Sequence, residues 1–369
     1  MVDRGVGMAG GSYFGATRWL AATQAPEALR ALAPFVTTDQ YHESWAYQGG
    51  ALQLGFNVHW ALTTLGFGEL MRQLGSGAAS PDRVGQLVAA IDANDELYRR
   101  LPLRDMPELD GLAPYYQDWL AHPSYDPFWK AIAPSESYES ITVPALNMGG
   151  WYDLFLKGTL ANYLGMKEHG GSEQARRRQR LVVGPWAHGP LSGWYPERSY
   201  GLMSGTDAFD ITRLQLTWFD ALLKGGDQAG DDAASDADKP VRLFVMGANT
   251  WRDEDDWPLP DTEYVDYFLH SAGHANTADG DGALSTEAPG EQPDDEFVYD
   301  PHDPVPTTGG PTFLPGLLIG ANAGPRDQRA VEQRSDVLCY TTPALDEPLE
   351  VTGPVELVVH LSSSAPTPT

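Results

Sequence analysis

The chain has 369 residues, of which 42% are hydrophobic, so it can bury a large core and more than one domain. Its formal net charge is −27, which opposes binding to nucleic acid and to anionic membrane surfaces, since both need a basic surface. The single cysteine, Cys339, excludes an internal disulfide, and no apolar run is long enough to span a membrane.

The acidic residues are scattered along the chain rather than gathered in one tail. This distribution is typical of an ordinary acidic cytosolic protein, and also of haloarchaeal-type proteins that stay soluble at very high salt, where screening suppresses self-repulsion. We favour the second interpretation, and stability that falls when salt is removed would support it. We expect a cytoplasmic location, with export left open because a targeting segment could lie upstream of Met1.

The first residues are predicted to form the end of a strand, a sharp turn, a helix over 17–32 and a strand over 33–37. The turn contains residues 10–15, with the sequence GGSYFG. A serine flanked by glycines between a strand and a helix is typical of the nucleophile elbow of α/β-hydrolases, because glycines let the backbone crowd there and free the hydroxyl. Ser12 is therefore a candidate nucleophile.

Residues 38–138 change to aromatic-rich helical patterns, most clearly over 81–100, and contain no convincing strand. This region is predicted to be a helical insertion. Apolar runs over 143–148 and 181–183 then predict buried parallel strands, and a helix follows over 209–224. The alternation of strands and helices predicts an α/β fold.

Past a stretch rich in Gly, Ala and Asp, helical periodicity disappears and short strands alternate with Pro/Gly loops, which indicates a β-sandwich. Strands are predicted over 241–246, 264–269 and 349–361. The predicted domains are a core with the elbow (1–37), a helical cap (38–138), a core with two further loops (139–225), a linker (226–239) and a β jelly roll (240–369).

A serine nucleophile needs a base to take its proton and an acid to orient that base. Asp153 follows the first of the later core strands in the sequence GGWYD, and His188 follows the second in GPWAHG. Alone, the aspartate is more often a helix cap and the histidine a loop residue. Their order after Ser12, and their position at the carboxyl ends of strands, together predict a Ser–Asp–His triad.

These three motifs resemble those of the cocaine-esterase-like and X-Pro dipeptidyl-peptidase family of α/β-hydrolases, the CocE/NonD type. The resemblance covers nearly the whole chain and implies a hydrolase core, a helical cap inserted after the elbow and a C-terminal jelly roll. It implies Ser12 as nucleophile, His188 as base and later acid, and Asp153 as the orienting carboxylate. The backbone N–H of Tyr13 would be one oxyanion donor, whereas no residue here matches the tyrosine that supplies the family's second donor.

The resemblance also matches Trp45, Trp60 and Phe155 to residues that flank the acyl pocket, with ordinary packing between cap and core as the alternative. No cofactor is implied, and zinc-type His/Cys spacing is missing. The implied partner is a small ester or amide or a short peptide. The sequence leaves open esterase against peptidase activity and whether the chain forms a homo-oligomer.

An elbow at residue 12 leaves no room for the strands that normally precede it, and the last residues directly follow a strong strand pattern. We therefore expect an incomplete hydrolase core and a truncated jelly roll. The competing hypothesis is a catalytically impaired or inactive fragment that acts at most as a binding module.

Overall fold

The computed structural model describes residues 5–189, 191–224, 239–313 and 322–365. The strands in these ranges are β1 (Val6–Gly11), β2 (Leu29–Phe35), β3 (Tyr47–Gln48), β4 (Ala51–Leu52), β5 (Leu146–Tyr152), β6 (Arg180–Ala187), β7 (Val241–Val245), β8 (Thr250–Glu254), β9 (Phe268–His270) and β10 (Ala283–Ser285). The helices are α1 (Tyr13–Ala22), α2 (Leu54–Trp60), α3 (Phe67–Gly75), α4 (Asp82–Asp92), α5 (Asn94–Tyr98), α6 (Tyr115–Ala121), α7 (Pro127–Lys130), α8 (Leu156–His169), α9 (Glu173–Arg177), α10 (Thr206–Phe209), α11 (Ile211–Lys224) and α12 (Arg329–Glu332).

The main sheet of the described residues has six strands in the order β1-β2-β5-β6-β7-β8. Each pair from β1 to β7 is parallel, and β8 alone pairs antiparallel, with β7. Parallel strands end at the same edge, so the carboxyl ends of β1, β5 and β6 lie together. The predicted α/β fold is confirmed.

Helices cover both faces of this sheet, which explains why its central strands are mostly apolar. On one face, Trp19 of α1 and Met166 of α8 pack with Leu32 of β2 in a buried cluster. On the other face, Trp218 of α11 packs with the neighbouring alanines of β2, and its indole N–H donates to the carbonyl of Leu32 at 2.9 Å. Strand β1 forms one edge of the sheet, and Val6 at its start is 48% exposed.

The cap has its own hydrophobic core, which supports the prediction of a helical insertion. Val58, Leu62 and Leu70 pack there with residues of α4 and α5. The expectation that this region holds no strand is wrong, because β3 and β4 form a short antiparallel hairpin. Gly49 and Gly50 connect them with φ values of 59° and 84°, and this pair of positive φ values is what a two-residue hairpin turn needs.

Two predicted boundaries after the elbow are corrected by the backbone. Helix α1 begins at Tyr13 and ends at Ala22, not over 17–32, and β2 begins at Leu29. The break has a local cause: Pro26 cannot continue a helix and disfavours it in the preceding residue, and Ala25 adopts a φ of 44°.

The residues after 239 differ from the predicted sandwich in three places. Strand β7 does not belong to a separate sandwich sheet, because it pairs with β6 and extends the main sheet. Residues 349–361 form no strand in the structure. Of the predicted strand over 264–269, only the end is formed, as β9, which pairs with β10. The predicted linker lies almost wholly outside the described residues.

Candidate active site

Ser12 stands between β1 and α1, at the carboxyl edge of the sheet. Its φ of 55° and ψ of −135° lie outside the helical and strand regions, as expected for a tight strand-to-helix turn. Its N–H donates to the carbonyls of Phe35 and Val36 at 3.0 and 3.2 Å. The turn therefore fixes the serine backbone against the end of the neighbouring strand.

The elbow has no space for a side chain at its glycine positions 11 and 15. A side chain on Gly15 would place its Cβ 2.8 Å from the carbonyl oxygen of Gly10 and 2.9 Å from the side chain of Thr37. A side chain on Gly11 would meet the ring of Phe35. Small residues at these positions allow β1, α1 and β2 to approach closely around the serine.

Asp153 follows β5 directly, and its side chain is completely buried. Its backbone N–H donates to the carbonyl of Gly150, and its own carbonyl accepts the N–H of Leu156 at the start of α8. One carboxylate oxygen contacts His188, while the other has no hydrogen-bond partner among the described residues. The carboxylate is thus aimed at the histidine by the turn between β5 and α8.

His188 follows β6 by one residue and is 6% exposed. Its Nδ1 lies 2.8 Å from Oδ1 of Asp153, and its Nε2 lies 3.0 Å from Oγ of Ser12. The structure therefore brings together the three residues that the motifs single out. A carboxylate on Nδ1 favours the tautomer whose Nε2 can accept a proton from the serine hydroxyl.

Aromatic side chains cover this hydrogen-bonded chain on the cap side. The rings of Trp45 and Phe155 stack at 4.3 Å, and Phe155 meets the ring of His188 edge-on at 4.9 Å. Trp60 lies 5.2 Å from Trp45 and 6.2 Å from Tyr13, the residue after the serine. Trp45 and Phe155 are almost fully buried, so they pack cap against core as well as surrounding the site.

Phe313 belongs to the same cluster but was not predicted from the sequence. Its ring lies 5.3 Å from that of His188 and 5.0 Å from that of Phe56. It comes from the chain after β10, far from every motif, inside a Pro/Gly-rich loop whose pattern gives no local signal. Only the folded structure places it beside the histidine.

A buried acid, Asp39, lies in the chain between β2 and the short helical segment His42–Ala46. Burial raises the pKa of its carboxyl to about 6, against the opposing effect of the Ser44 hydroxyl, which donates to it at 3.1 Å. This buried acid was not predicted from the sequence.

The described ranges contain no cluster of three or more His, Cys, Asp or Glu side chains that could hold a metal ion. They also contain no helix long and apolar enough to cross a membrane.

The fold and this arrangement define an α/β-hydrolase: a parallel sheet with helices on both faces, and a strained serine turn at the carboxyl edge. Residues 2–190 match the family model for the X-Pro dipeptidyl-peptidase (S15 family), and residues 233–368 match the X-Pro dipeptidyl-peptidase C-terminal non-catalytic domain. The chain belongs to the X-Pro dipeptidyl-peptidase and cocaine-esterase-like family, which confirms the resemblance seen in the motifs. The second match is consistent with a β-rich second domain.

Two curated proteins illustrate the relationship. The chain is 37% identical over 365 residues to cocaine esterase from Rhodococcus sp. strain MB1 Bresler, covering 98% of this chain and 61% of the relative. It is 25% identical over 389 residues to the putative serine esterase Mb1866c from Mycobacterium bovis, covering 96% of this chain and 56% of the relative. The chain thus spans about three-fifths of the length of these relatives.

Solved structures with a related fold include an aminopeptidase from a marine sediment Thaumarchaeota archaeon, with a TM-score of 0.67 and 23% identity over 95% of this chain and 53% of that one. An α-amino acid ester hydrolase gives a TM-score of 0.61, also at 23% identity, over 95% of this chain and 54% of that one. At this identity the likeness concerns the fold alone.

Proposed function

We propose that the chain is a serine hydrolase that cleaves ester or amide bonds, with Ser12 as nucleophile, His188 as base and Asp153 as orienting acid. The observation that carries the proposal is the continuous pair of contacts from Ser12 Oγ to His188 Nε2 at 3.0 Å and from His188 Nδ1 to Asp153 Oδ1 at 2.8 Å. Nucleophile, base and orienting group within hydrogen-bond reach are what acyl transfer requires.

In the proposed reaction, the oxygen of Ser12 attacks the carbonyl carbon while its proton moves to Nε2 of His188. Collapse of the tetrahedral intermediate breaks the bond to the alcohol or amine, which leaves with that proton. Water then attacks the acyl-enzyme, giving up a proton to His188, and the acid is released as Ser12 regains its hydrogen. The Asp153 carboxyl group orients the imidazole ring and stabilises the imidazolium.

Negative charge on the carbonyl oxygen needs a donor, and the N–H of Tyr13 is suited to this role. Tyr13 is the first residue of α1, where a backbone N–H has no acceptor within the helix and the helix dipole favours an anion. Removing one of two oxyanion donors costs about 10²–10³ in rate, so a chain that works with this donor alone would be slow by that factor.

The acyl group of the substrate is proposed to lie against the aromatic cluster around His188. Trp45, Trp60, Phe155 and Phe313 present apolar rings there, which favours an apolar or aromatic acyl group. The name of one relative, cocaine esterase, and the family name X-Pro dipeptidyl-peptidase keep both an ester and a proline-containing peptide as candidate substrates.

The test is hydrolysis of two chromogenic substrates, a p-nitrophenyl ester of benzoic acid and the p-nitroanilide of an Xaa-Pro dipeptide. We expect turnover of at least one. Asp153→Asn should lower kcat about 10⁴-fold, because an amide favours the wrong histidine tautomer. Ser12→Ala should abolish turnover, because it removes the proposed nucleophile. Ser124→Ala, the same substitution at an exposed position, is its control and should keep full activity. Turnover unaffected by Asp153→Asn would contradict the proposal.

Two observations favour a second candidate, a catalytically impaired chain that acts at most in binding. Strand β1, which carries the elbow, has a strand partner on one side only in the described part of the chain. Phe14 beside the serine is 50% exposed. A folded sample that cleaves neither substrate and does not react with a serine-directed probe would favour this candidate.

A further inference from the structure

We propose that Thr37 is a positioning residue for Ser12, and that its hydroxyl holds the serine turn in its reactive geometry. The inference rests on the proposed serine mechanism. Its starting point is that the side-chain hydroxyl of Thr37 donates to the carbonyl oxygen of Ser12 at 2.7 Å. Twenty-five residues separate the two, so the bond is a tertiary contact.

With this hydrogen bond, both polar backbone groups of Ser12 are bonded to the residues that follow and end β2. The N–H of Ser12 donates to the carbonyls of Phe35 and Val36, and its carbonyl accepts from Thr37. Residues 35–37, here called the clamp segment, therefore hold both polar backbone groups of the nucleophile. A strained backbone of this kind persists only where its surroundings fix it.

The clamp segment is itself held in an unusual shape. Val36 has a φ of 42°, a conformation that a β-branched residue rarely adopts, and it is buried. Its N–H donates to the carbonyl of Met148 in β5 at 2.8 Å. Two strained residues, Ser12 and Val36, thus face each other and are joined directly by a hydrogen bond.

Helix α8 supports the clamp segment from behind. The hydroxyl of Thr159 donates to the carbonyl of Thr37 at 3.0 Å, and the amide of Asn162 donates to the carbonyl of Thr38 at 3.1 Å. Gly158 allows this close approach, because a Cβ there would lie 2.7 Å from Cα of Thr38.

The same helix begins directly after the acid loop. The N–H of Leu156, its first residue, donates to the carbonyl of Asp153 at 3.0 Å. The proposed acid and the clamp segment therefore share one rigid support. A shift of α8 would therefore move Asp153 and the clamp segment together, and through the clamp segment it would also move Ser12.

Without the hydroxyl, the carbonyl of Ser12 retains the N–H of Ala16, at 3.1 Å, as its hydrogen-bond partner. The serine turn can then relax, and Oγ moves from its place beside His188. A displacement of about 1 Å at a reacting group can cost 10²-fold in rate. Binding of substrate, which depends on the aromatic cluster, should change little.

The experiment compares Thr37→Val, which keeps the shape and removes the donor, with Thr37→Ser, which keeps the donor. Thr23→Val is the matched control, because its hydroxyl also donates to a backbone carbonyl at 2.7 Å, at the far end of α1. The readouts are kcat and KM for the p-nitrophenyl ester and the rate of reaction with a fluorophosphonate.

We expect Thr37→Val to lower kcat and the fluorophosphonate rate about 10- to 100-fold, with KM within twofold of the parent chain. Thr37→Ser should restore most of the rate, and Thr23→Val should leave it unchanged. Wild-type rates in Thr37→Val would overturn the inference. So would an equal loss in Thr37→Ser, since packing rather than the hydroxyl would then be responsible.

A parent chain that neither turns over substrate nor reacts with the probe refutes the proposed function, and the positioning of Ser12 is then tested by amide hydrogen exchange on the intact chain. Thr37→Val should speed exchange at the N–H of Ser12 and Ala16 at least tenfold relative to Thr23→Val. Equal exchange in the two variants would overturn the inference in that case.

Discussion

Replacing Asp39 with asparagine should make the protein more stable at neutral pH and leave its stability nearly unchanged near pH 4. Asp39 is only 6% exposed, and burial raises the pKa of its carboxyl from 3.8 to about 6. The hydroxyl of Ser44 and the charge of Lys157 oppose this rise without cancelling it. Folding therefore favours the protonated form of this carboxyl, compared with the unfolded chain.

The size of the effect follows from the difference between the folded and unfolded pKa. A rise of about 2 units corresponds to about 3 kcal/mol, since one unit is about 1.4 kcal/mol. Below pH 3.8 the carboxyl is protonated in both states and contributes no penalty. As pH rises to about 6 the penalty grows, because the unfolded state ionises first, and above pH 6 it is constant.

The charged and titratable groups around Asp39 affect how much stability Asp39→Asn gains. Lys157 of α8 pairs with Glu43 at 2.8 Å, and the phenols of Tyr125 and Tyr138, whose pKa values are raised by burial, also interact electrostatically with Asp39. Asparagine can still accept from Ser44, so we expect Asp39→Asn to gain about 1–3 kcal/mol at pH 7.5.

The assay is urea unfolding of both proteins at a series of pH values from 4 to 8. The difference in unfolding free energy should rise from near zero to its full value between pH 4 and 6. The control is Asp266→Asn, at an exposed position, which makes the same change of charge. A difference that does not vary with pH, or a less stable Asp39→Asn at pH 7.5, would refute the reasoning.

Gly15→Ala should destabilise the fold by about 1–3 kcal/mol, because its Cβ would lie 2.8 Å from the carbonyl of Gly10. Gly68→Ala, in α3 with open space around it, should be neutral or up to about 1 kcal/mol stabilising, and equal effects in urea unfolding would contradict the steric argument. Phe313→Ala should lose about 3 kcal/mol and lower kcat/KM, since the ring packs on His188. Phe297→Ala, at a half-exposed position, should change the free energy of unfolding by less than about 0.5 kcal/mol and leave kcat/KM unchanged. If Phe313→Ala changed both quantities no more than Phe297→Ala, the packing of Phe313 on His188 would have no part in the site.

The residues at strand ends could be predicted from the sequence because each carries a local signal. Ser12 lies among glycines, and Asp153 and His188 each follow an apolar run that ends in a glycine-containing turn. Parallel pairing then brings such ends to one edge of the sheet. The three candidate site residues and the α/β fold could therefore be predicted from the sequence.

The support of the site has no such signal. Val36 and Thr37 look like the ordinary end of a strand, and neither the positive φ of Val36 nor the bond from Thr37 to Ser12 follows from their neighbours in sequence. Phe313 reaches the site from a distant loop. These features depend on tertiary approach, which local patterns do not encode.

Strand prediction failed where an apolar pattern does not identify its partner. Strand β7 has the pattern of a sandwich strand, yet it pairs with β6 of the hydrolase sheet. Residues 349–361 have a strong strand pattern, but Val355, Leu357 and Leu361 are each more than 70% exposed, without pairing. Strand propensity reflects packing on neighbours, so it decides neither which sheet a strand joins nor whether it pairs.

The central claim is that Ser12 is a nucleophile activated by His188, and intact-protein mass spectrometry after treatment with a fluorophosphonate tests it most directly. We predict one covalent adduct per chain, which digestion locates on the peptide that contains Ser12. The adduct should be absent in Ser12→Ala and form far more slowly in His188→Ala. A folded protein that gains no adduct, or an adduct that persists in Ser12→Ala, would contradict the account.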